Sequence, residues 1–407
     1  MVVGGGAAGL MAALAAARLG AHVHVCEQLQ RPGVRLLASG GGRGNLTHTL
    51  AVEAMMARFG RRGRFMQPAL AALDPEGLRR LLAELGVPTF SPDGFHVYPS
   101  SESAADVQQA LVRACDAAGV VFHLACPARS LVLEGQVMQG VETAGGLLPA
   151  RRMILATGGR SYPRLGGGDQ GYALARQVGH TITPLLPALA PLVTREPWPA
   201  SCSGAALPDA ELSLAQEGRS APSARGALLF THRGFSGPAA LDLSGDASAR
   251  LQAGAPVSAF LNLTPGRRTS DWLREIGLWP RSGGRKTIAR WLDDILPRSV
   301  AAALAGACAL PDTLTASHVT QEQRQRLAEH LAAWPVTITG TGGFEAAMVT
   351  RGGVTLDEID PRRLASRLVQ GLYFAGEIVD LDGPCGGFNL QWAFSSGWLA
   401  GRSAAAP

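Results

Sequence analysis

Apolar positions in the first 27 residues follow a strand period, then a helix period, then a strand period again. Val2 and Val3 read as the end of a short strand. An Ala-rich stretch to about Leu19 reads as helix, and Gly20 stops it. Val23 and Val25 then alternate with His22 and His24, a strand over 21–26 that Glu27 closes. Between first strand and helix lie Gly4, Gly6 and Gly9, spaced G-x-G-x-x-G with Ala7 and Ala8 inside the repeat. Strand, turn, helix, strand and acid in this order are the layout of a dinucleotide-binding unit. Gly4 permits the tight turn, Gly6 lets a pyrophosphate approach the backbone, and Gly9 lets the helix pack close on the strand. The helix N-terminus offers unpaired N–H groups to phosphates, and Glu27 can accept from ribose hydroxyls. A strand usually has about five or six residues, so either the first strand is unusually short or the true start lies upstream.

The pattern predicts a helix after Asp74 and Pro75, with Leu78, Leu81, Leu82 and Leu85 as its apolar stripe and Gly86 as its stop. A strand over 95–98 follows, then a helix from Ser103 with Val107, Leu111, Ala114 and Cys115 inward. Next come a parallel-type strand over 120–124, a hairpin around Glu134-Gly135, and a buried strand over 153–156. From Thr183 closely spaced prolines break any helix, and short strands follow near 211–214, 227–231 and 256–263. Residues 265–330 turn helical, with Ile288, Trp291, Leu292 and Ile295 on one face and a Thr320/Gln323 capping box. Five of the seven tryptophans fall between 190 and 335, which gives this insert a core of its own. Past Pro335 come strands over 336–339 and 371–377, then an apolar helix over 390–400. The expected class is α/β. A Rossmann-like fold over 1–185 resumes over 331–407, after a β-barrel-like insert (186–264) and a helical one (265–330).

Three further stretches carry candidate chemistry. The loop 33–47 is glycine-rich and long, and Arg35, Ser39, Gly41, Gly42, Arg43, Asn45 and Thr47 make it a cradle for something flat or anionic. Thr157, Gly158 and Gly159 end a buried strand, where a doubly wound sheet meets its ligand. Gly376 and Glu377 end another, followed by Asp380 and by Gly386, Gly387, Phe388 and Asn389 at a helix start. An acid there can hold ribityl or ribose hydroxyls, and the glycine pair can give N–H groups to a flavin O2 or a phosphate. A second cofactor-facing turn at the far end of the chain favours FAD over NAD.

Composition narrows the class. Apolar residues are 46% and charged residues 17%, as in an ordinary globular protein. No run of about 18 uncharged apolar residues is present, so no membrane span is expected. The six cysteines are scattered without C-x-x-C, which argues against a disulfide framework or a metal site and for the cytoplasm. The net charge of +5 is nearly all arginine. Arg58, Arg61, Arg62 and Arg64 cluster as a solvated surface, and no basic stripe with interleaved aromatics argues for nucleic acid.

Taken together, Gly4–Gly9 with Glu27, the run Ser39 to Thr47, Thr157 to Pro163, Phe230 to Pro238, and Ala375 to Ser396 resemble the BaiN/RdsA-type bacterial flavoproteins. The resemblance covers nearly the whole chain in order. It implies a two-dinucleotide-fold relative that holds FAD between its N- and C-terminal segments. Members carry names such as aminoacetone oxidase and 3-dehydro-bile-acid reductase. The chain departs from the pattern at Gly44, where the family usually has Cys, and at His48, where Asn is frequent.

No Ser-His-Asp, H-E-x-x-H or Walker A arrangement is visible, so the hard chemistry falls to the flavin. Arg43 and Asn45 are candidates to stabilise charge at its N1/O2 edge, with holding the loop as their alternative role. His232 is a candidate proton donor, or a hydrogen-bonded turn histidine. Cys385, between Pro384 and Gly386, is a candidate to face the flavin, with a buried, inert thiol as the favoured alternative. With no second βαβ unit headed by such a glycine turn, NAD(P)H is expected as a transient donor, followed by a small unsaturated or carbonyl-bearing substrate. The alternatives are an oxidase of a small amine such as aminoacetone, and an RNA-modifying flavoprotein.

Overall fold

A computed structural model describes residues 1–216, 221–283 and 285–406. The chain divides into two compact units, one formed by Met1–Leu186 with Met348–Pro407, the other by Pro187–Ala347.

The first unit is built on a seven-stranded sheet. Its centre is parallel: Val121–His123, His24–Cys26, Val2–Val3, Met153–Leu155 and Leu372–Phe374, in that spatial order. Ile359–Asp360 and Ala365–Ser366 extend one edge antiparallel. The first helix, Ala7–Ala17, is buried from Ala8 to Ala16 with no polar face, as befits a helix enclosed by protein. It packs on the last helix, Phe388–Ala405, at very short range. A Cβ on Gly397 or Gly401 would overlap the carbonyls of Ala8 or Ala12, so only glycine lets these backbones touch. Ala104–Ala117 packs on the first helix as well.

Two small antiparallel sheets flank this frame. One is Ser130–Glu134, Val137–Thr143 and Gly146–Pro149, so the expected hairpin gains a third strand. The other is Thr47–His48, His96–Pro99 and Thr89–Phe90. Stretch 33–47, expected as an open loop, instead contains two short helical turns, Val34–Leu37 and Ser39–Gly42.

The second unit is a closed six-stranded barrel with helices. Around it run Leu192–Thr194, Gly234–Ser236, Ser223–Thr231, Ala206–Leu214, Val257–Asn262 and Trp334–Thr341. The helix Pro238–Leu251, which the pattern did not reveal, packs against all six strands. The helices of 265–330 share one hydrophobic cluster with the barrel, so the two inserts form a single body. Ile295, placed on an inward face by its spacing, lies beyond the helix Ile288–Asp293 and is exposed. Residues 331–347 also belong to this unit. Trp334–Thr341 closes the barrel by pairing with Val257–Asn262 and Leu192–Thr194, and the first fold resumes at Met348. Among the described residues, no helix is long and apolar enough to cross a membrane.

Candidate functional site

Three neighbouring parallel strands of the first unit end in glycine turns: Val2–Val3 at Gly4, Met153–Leu155 at Thr157-Gly158-Gly159, and Leu372–Phe374 at Gly376. The C-terminal edge of such a sheet is where ligands bind. At the first turn, a Cβ on Gly9 would overlap the Gly4 carbonyl, whereas a Cβ on Gly6 would meet nothing within 4 Å. Gly9 is therefore required by the fold. Gly6 instead borders open space at the N-terminus of the first helix, whose first N–H groups have no intrahelical acceptor.

Glu27 is buried at the foot of this turn. Its two carboxylate oxygens accept from Gly5 N (2.6 Å) and Leu29 N (2.8 Å). Burial pushes its carboxyl up, and these backbone N–H groups partly offset that. Its first job is thus to fix the turn, with lone pairs left over for ribose hydroxyls.

At the second and third turns, Arg35 donates to Glu377 across 2.6 Å, and the other Glu377 oxygen accepts from Thr350 N at 2.7 Å. The guanidinium lies against Gly158 and the carboxylate against Gly159. Four stretches far apart in sequence therefore meet here. Glu377, expected to hold a sugar hydroxyl, is engaged by Arg35 and Thr350. Asp380 is likewise held by Arg62 at 2.6 Å, with the Arg62 side chain still 52% exposed. Asp382 pairs with Arg351 at 3.0 Å.

The N-terminal loop and the C-terminal helix also converge. Gly387 opens that helix with φ 88°, and a Cβ on it would lie 2.7 Å from Thr47 O. Phe388 packs on the His48 ring, with centroids 4.2 Å apart. Asn389 clamps the preceding turn by accepting from Gly383 N and donating to Gly383 O, both at 2.8 Å. Ser39 donates to Leu36 O, and Arg43 is held at the surface by Glu102 and the face of Tyr98. Both contacts favour the loop-holding role over the flavin edge.

Buried polar atoms without partners gather along these turns: Asn45 Oδ1, Thr47 Oγ1, His48 Nε2 and Thr157 Oγ1. An orphaned buried polar atom costs about 1–3 kcal/mol, and those of Asn45, Thr47 and His48 fall in the one stretch that meets Gly387 and Phe388, which marks a place for a polar ligand. His48 Nδ1 accepts from Leu50 N at 3.2 Å, which leaves the proton on Nε2. Burial holds this imidazole down to about 4, so it is a neutral donor at pH 7. The open space at Gly6, the orphaned atoms and the two helix N-termini together fit a dinucleotide cofactor.

His232 lies in the second unit, exposed in the two-residue turn between Ser223–Thr231 and Gly234–Ser236. No disulfide joins any of the six cysteines, all of which lie among the described residues. Sequence reasoning missed His96, whose Nδ1 pairs with Asp93 at 2.6 Å. The available signal was the spacing Asp93-x-x-His96, which lets one side chain cap a turn and reach the ring.

The family model described as the HI0933-like protein Rossmann domain matches residues 1–403. The chain is 32% identical over 408 residues to the 3-dehydro-bile acid delta(4,6)-reductase of Clostridium scindens, covering 99% of this chain and 98% of that one. It is 31% identical over 406 residues to the ribosomal RNA dihydrouridine synthase of Escherichia coli, covering 99% and 96%. Among solved structures, the 3-ketosteroid-delta4-(5alpha)-dehydrogenase of Rhodococcus jostii superposes with a TM-score of 0.53 at 16% identity, covering 100% of this chain and 96% of that one. That likeness is one of fold.

Proposed function

The chain belongs to the HI0933-like Rossmann-domain family of FAD-dependent oxidoreductases, and from that premise we propose that it reduces a carbon–carbon double bond conjugated to a carbonyl. The observation that carries this reading is full-length similarity, at nearly equal identity, to a bile acid delta(4,6)-reductase and to a dihydrouridine synthase, whose product is a uridine with its ring double bond reduced. A 3-oxo steroid with double bonds at positions 4 and 6 and a uridine ring differ in size and polarity. Both present C=C beside C=O. The shared chemistry is therefore the conjugated double bond, and neither substrate is singled out. A reduced nicotinamide is the proposed donor, binding transiently, because only one G-x-G-x-x-G unit stands at the head of a βαβ unit.

When bound, FAD supplies two-electron exchange at its ring system. The protein's own groups do the rest. The N–H groups beyond Gly6 take the pyrophosphate charge, and Glu27 fixes the turn that presents them. Asn45, Thr47 and His48 offer polar atoms to the remainder, with His48 Nε2–H as a neutral donor. Phe95 and Phe388 flank His48 and keep water from that wall.

Anaerobic double mixing tests the reading. NADH or NADPH should bleach the flavin band, and 2-cyclohexen-1-one or uridine should restore it. Bleaching by a small amine alone, with peroxide formed on aeration, would replace the reductase by an oxidase.

A further inference from the structure

Adding hydrogen across a conjugated double bond requires a hydride at one carbon and a proton at the other. None of the groups assigned above is suited to deliver that proton. His48 is fully buried between aromatic rings, out of reach of water that could recharge it. Arg43 has no proton to give at neutral pH.

His96 differs on each point. Asp93 accepts from the backbone N–H groups of Phe95 (2.9 Å) and His96 (2.8 Å) through Oδ1. Its Oδ2 takes the His96 Nδ1 proton at 2.6 Å. Those three bonds hold the Asp93 carboxyl well below its usual range, so it stays ionised as the fixed acceptor of the Nδ1 proton. The ring is thereby fixed with Nε2 outward, and Nε2 makes no hydrogen bond among the described residues. It lies 3.6 Å from where a Cβ on Gly386 would stand, with Phe95 Cε1 3.1 Å from the same point. Gly386 precedes the helix start that meets Thr47 and His48. Nε2 therefore borders the end of the cradle where the orphaned polar atoms gather, and the side chain is 34% exposed, open to substrate and water.

We propose that His96, oriented by Asp93, is the catalytic acid of the double-bond reduction. This rests on the reductase reading. The Nε2 proton passes to the carbon next to the carbonyl while a hydride, derived from reduced nicotinamide, adds to the far carbon. The C=C π bond breaks and two C–H bonds form. The imidazole is left neutral, water returns its proton, and one NAD(P)⁺ is produced. Asp93 keeps its charge throughout, as a positioning residue. The other titratable or charged groups around the ring are His48, its register partner across the strand pair, Tyr98, and the Arg43–Glu102 pair over Tyr98.

The test uses holoenzyme and the two half-reactions separately. H96Q should slow flavin reoxidation by 2-cyclohexen-1-one about 100-fold or more. Its bleaching by NADPH or NADH, and its reoxidation by ferricyanide, which needs no proton delivery, should stay at wild-type rates. D93N should slow the same enone reoxidation step while leaving bleaching by NADPH or NADH unchanged, and the double variant D93N/H96Q should be no slower than H96Q. In the apoprotein, D93N should weaken the Nδ1–H bond to residue 93, read by NMR as loss or upfield movement of the His96 Nδ1–H resonance, which needs no turnover. Wild-type enone reoxidation in H96Q, or loss of that step in H232Q instead, would overturn the assignment. If no enone or uridine reoxidises the wild-type protein, the reductase reading itself falls and takes the assignment with it.

Discussion

Replacing Gly6 by alanine should separate cofactor binding from folding. Gly6 has φ −75° and ψ −171°, which any residue adopts, and an added Cβ meets nothing within 4 Å. The apoprotein should lose no stability, and a gain of about 0.4–1 kcal/mol from a stiffer unfolded chain is expected. The open space is where the pyrophosphate must reach the backbone. A methyl there stretches one charge-assisted hydrogen bond, worth about 1.5–3 kcal/mol. FAD affinity should therefore fall between about 10- and 150-fold. Gly9→Ala is the contrasting variant. Its Cβ overlaps the Gly4 carbonyl, so the helix must shift and the apoprotein should lose about 1–3 kcal/mol. The assays are FAD titration by flavin fluorescence and urea unfolding of the apoprotein. Wild-type FAD affinity in G6A, or equal loss of apo stability in G6A and G9A, would refute the reasoning.

Other outcomes follow from the same contacts. His48 has its pKa depressed in the fold, so the unfolded chain binds the extra proton; stability is full above about pH 6.5 and falls as pH drops toward 4, by up to about 3 kcal/mol. Urea midpoints at pH 7 and pH 4.5 should show that slope in the wild type and a shallower one in H48Q. Gly387→Ala places a side chain 2.7 Å from Thr47 O at φ 88° and should cost about 1–3 kcal/mol in apo stability as well as FAD affinity; an unchanged apo unfolding midpoint would contradict it. Arg35→Met leaves the Glu377 carboxylate without its ion pair and should cost about 1–3 kcal/mol, while the double variant R35M/E377Q recovers part of that in a thermodynamic cycle.

The sequence made the first βαβ unit readable because its signals are local: a glycine turn, a helix stop at Gly20, and an acid after a strand. Where it misled, the deciding contacts were distant. Residues 334–341 are expected with the returning Rossmann-like segment 331–407, but the partners that place them in the barrel lie some 80 and 140 positions earlier. The helix Pro238–Leu251 buries mostly small residues, Ala239, Ala240, Ser244, Gly245, Ala247 and Ser248, so it lacks the broad stripe of large apolar side chains of a surface helix. At the candidate site the glycines were legible and the ion pairs were not. Nothing near Glu377, Asp380 or Asp382 in sequence announces Arg35, Arg62 or Arg351 as partners, except that each acid sits where burial would otherwise leave a charge alone.

The most direct test of the central claim is a calorimetric comparison of FAD and FMN binding to the apoprotein. FMN carries the isoalloxazine and one phosphate but lacks the adenosine half that Gly4–Gly9 and Glu27 are built to hold. One FAD should bind per chain, and FMN should bind at least about 100-fold more weakly, the equivalent of one or two lost charge-assisted hydrogen bonds. Equal affinity for the two flavins, or no binding of FAD, would contradict the dinucleotide cradle and the function built on it.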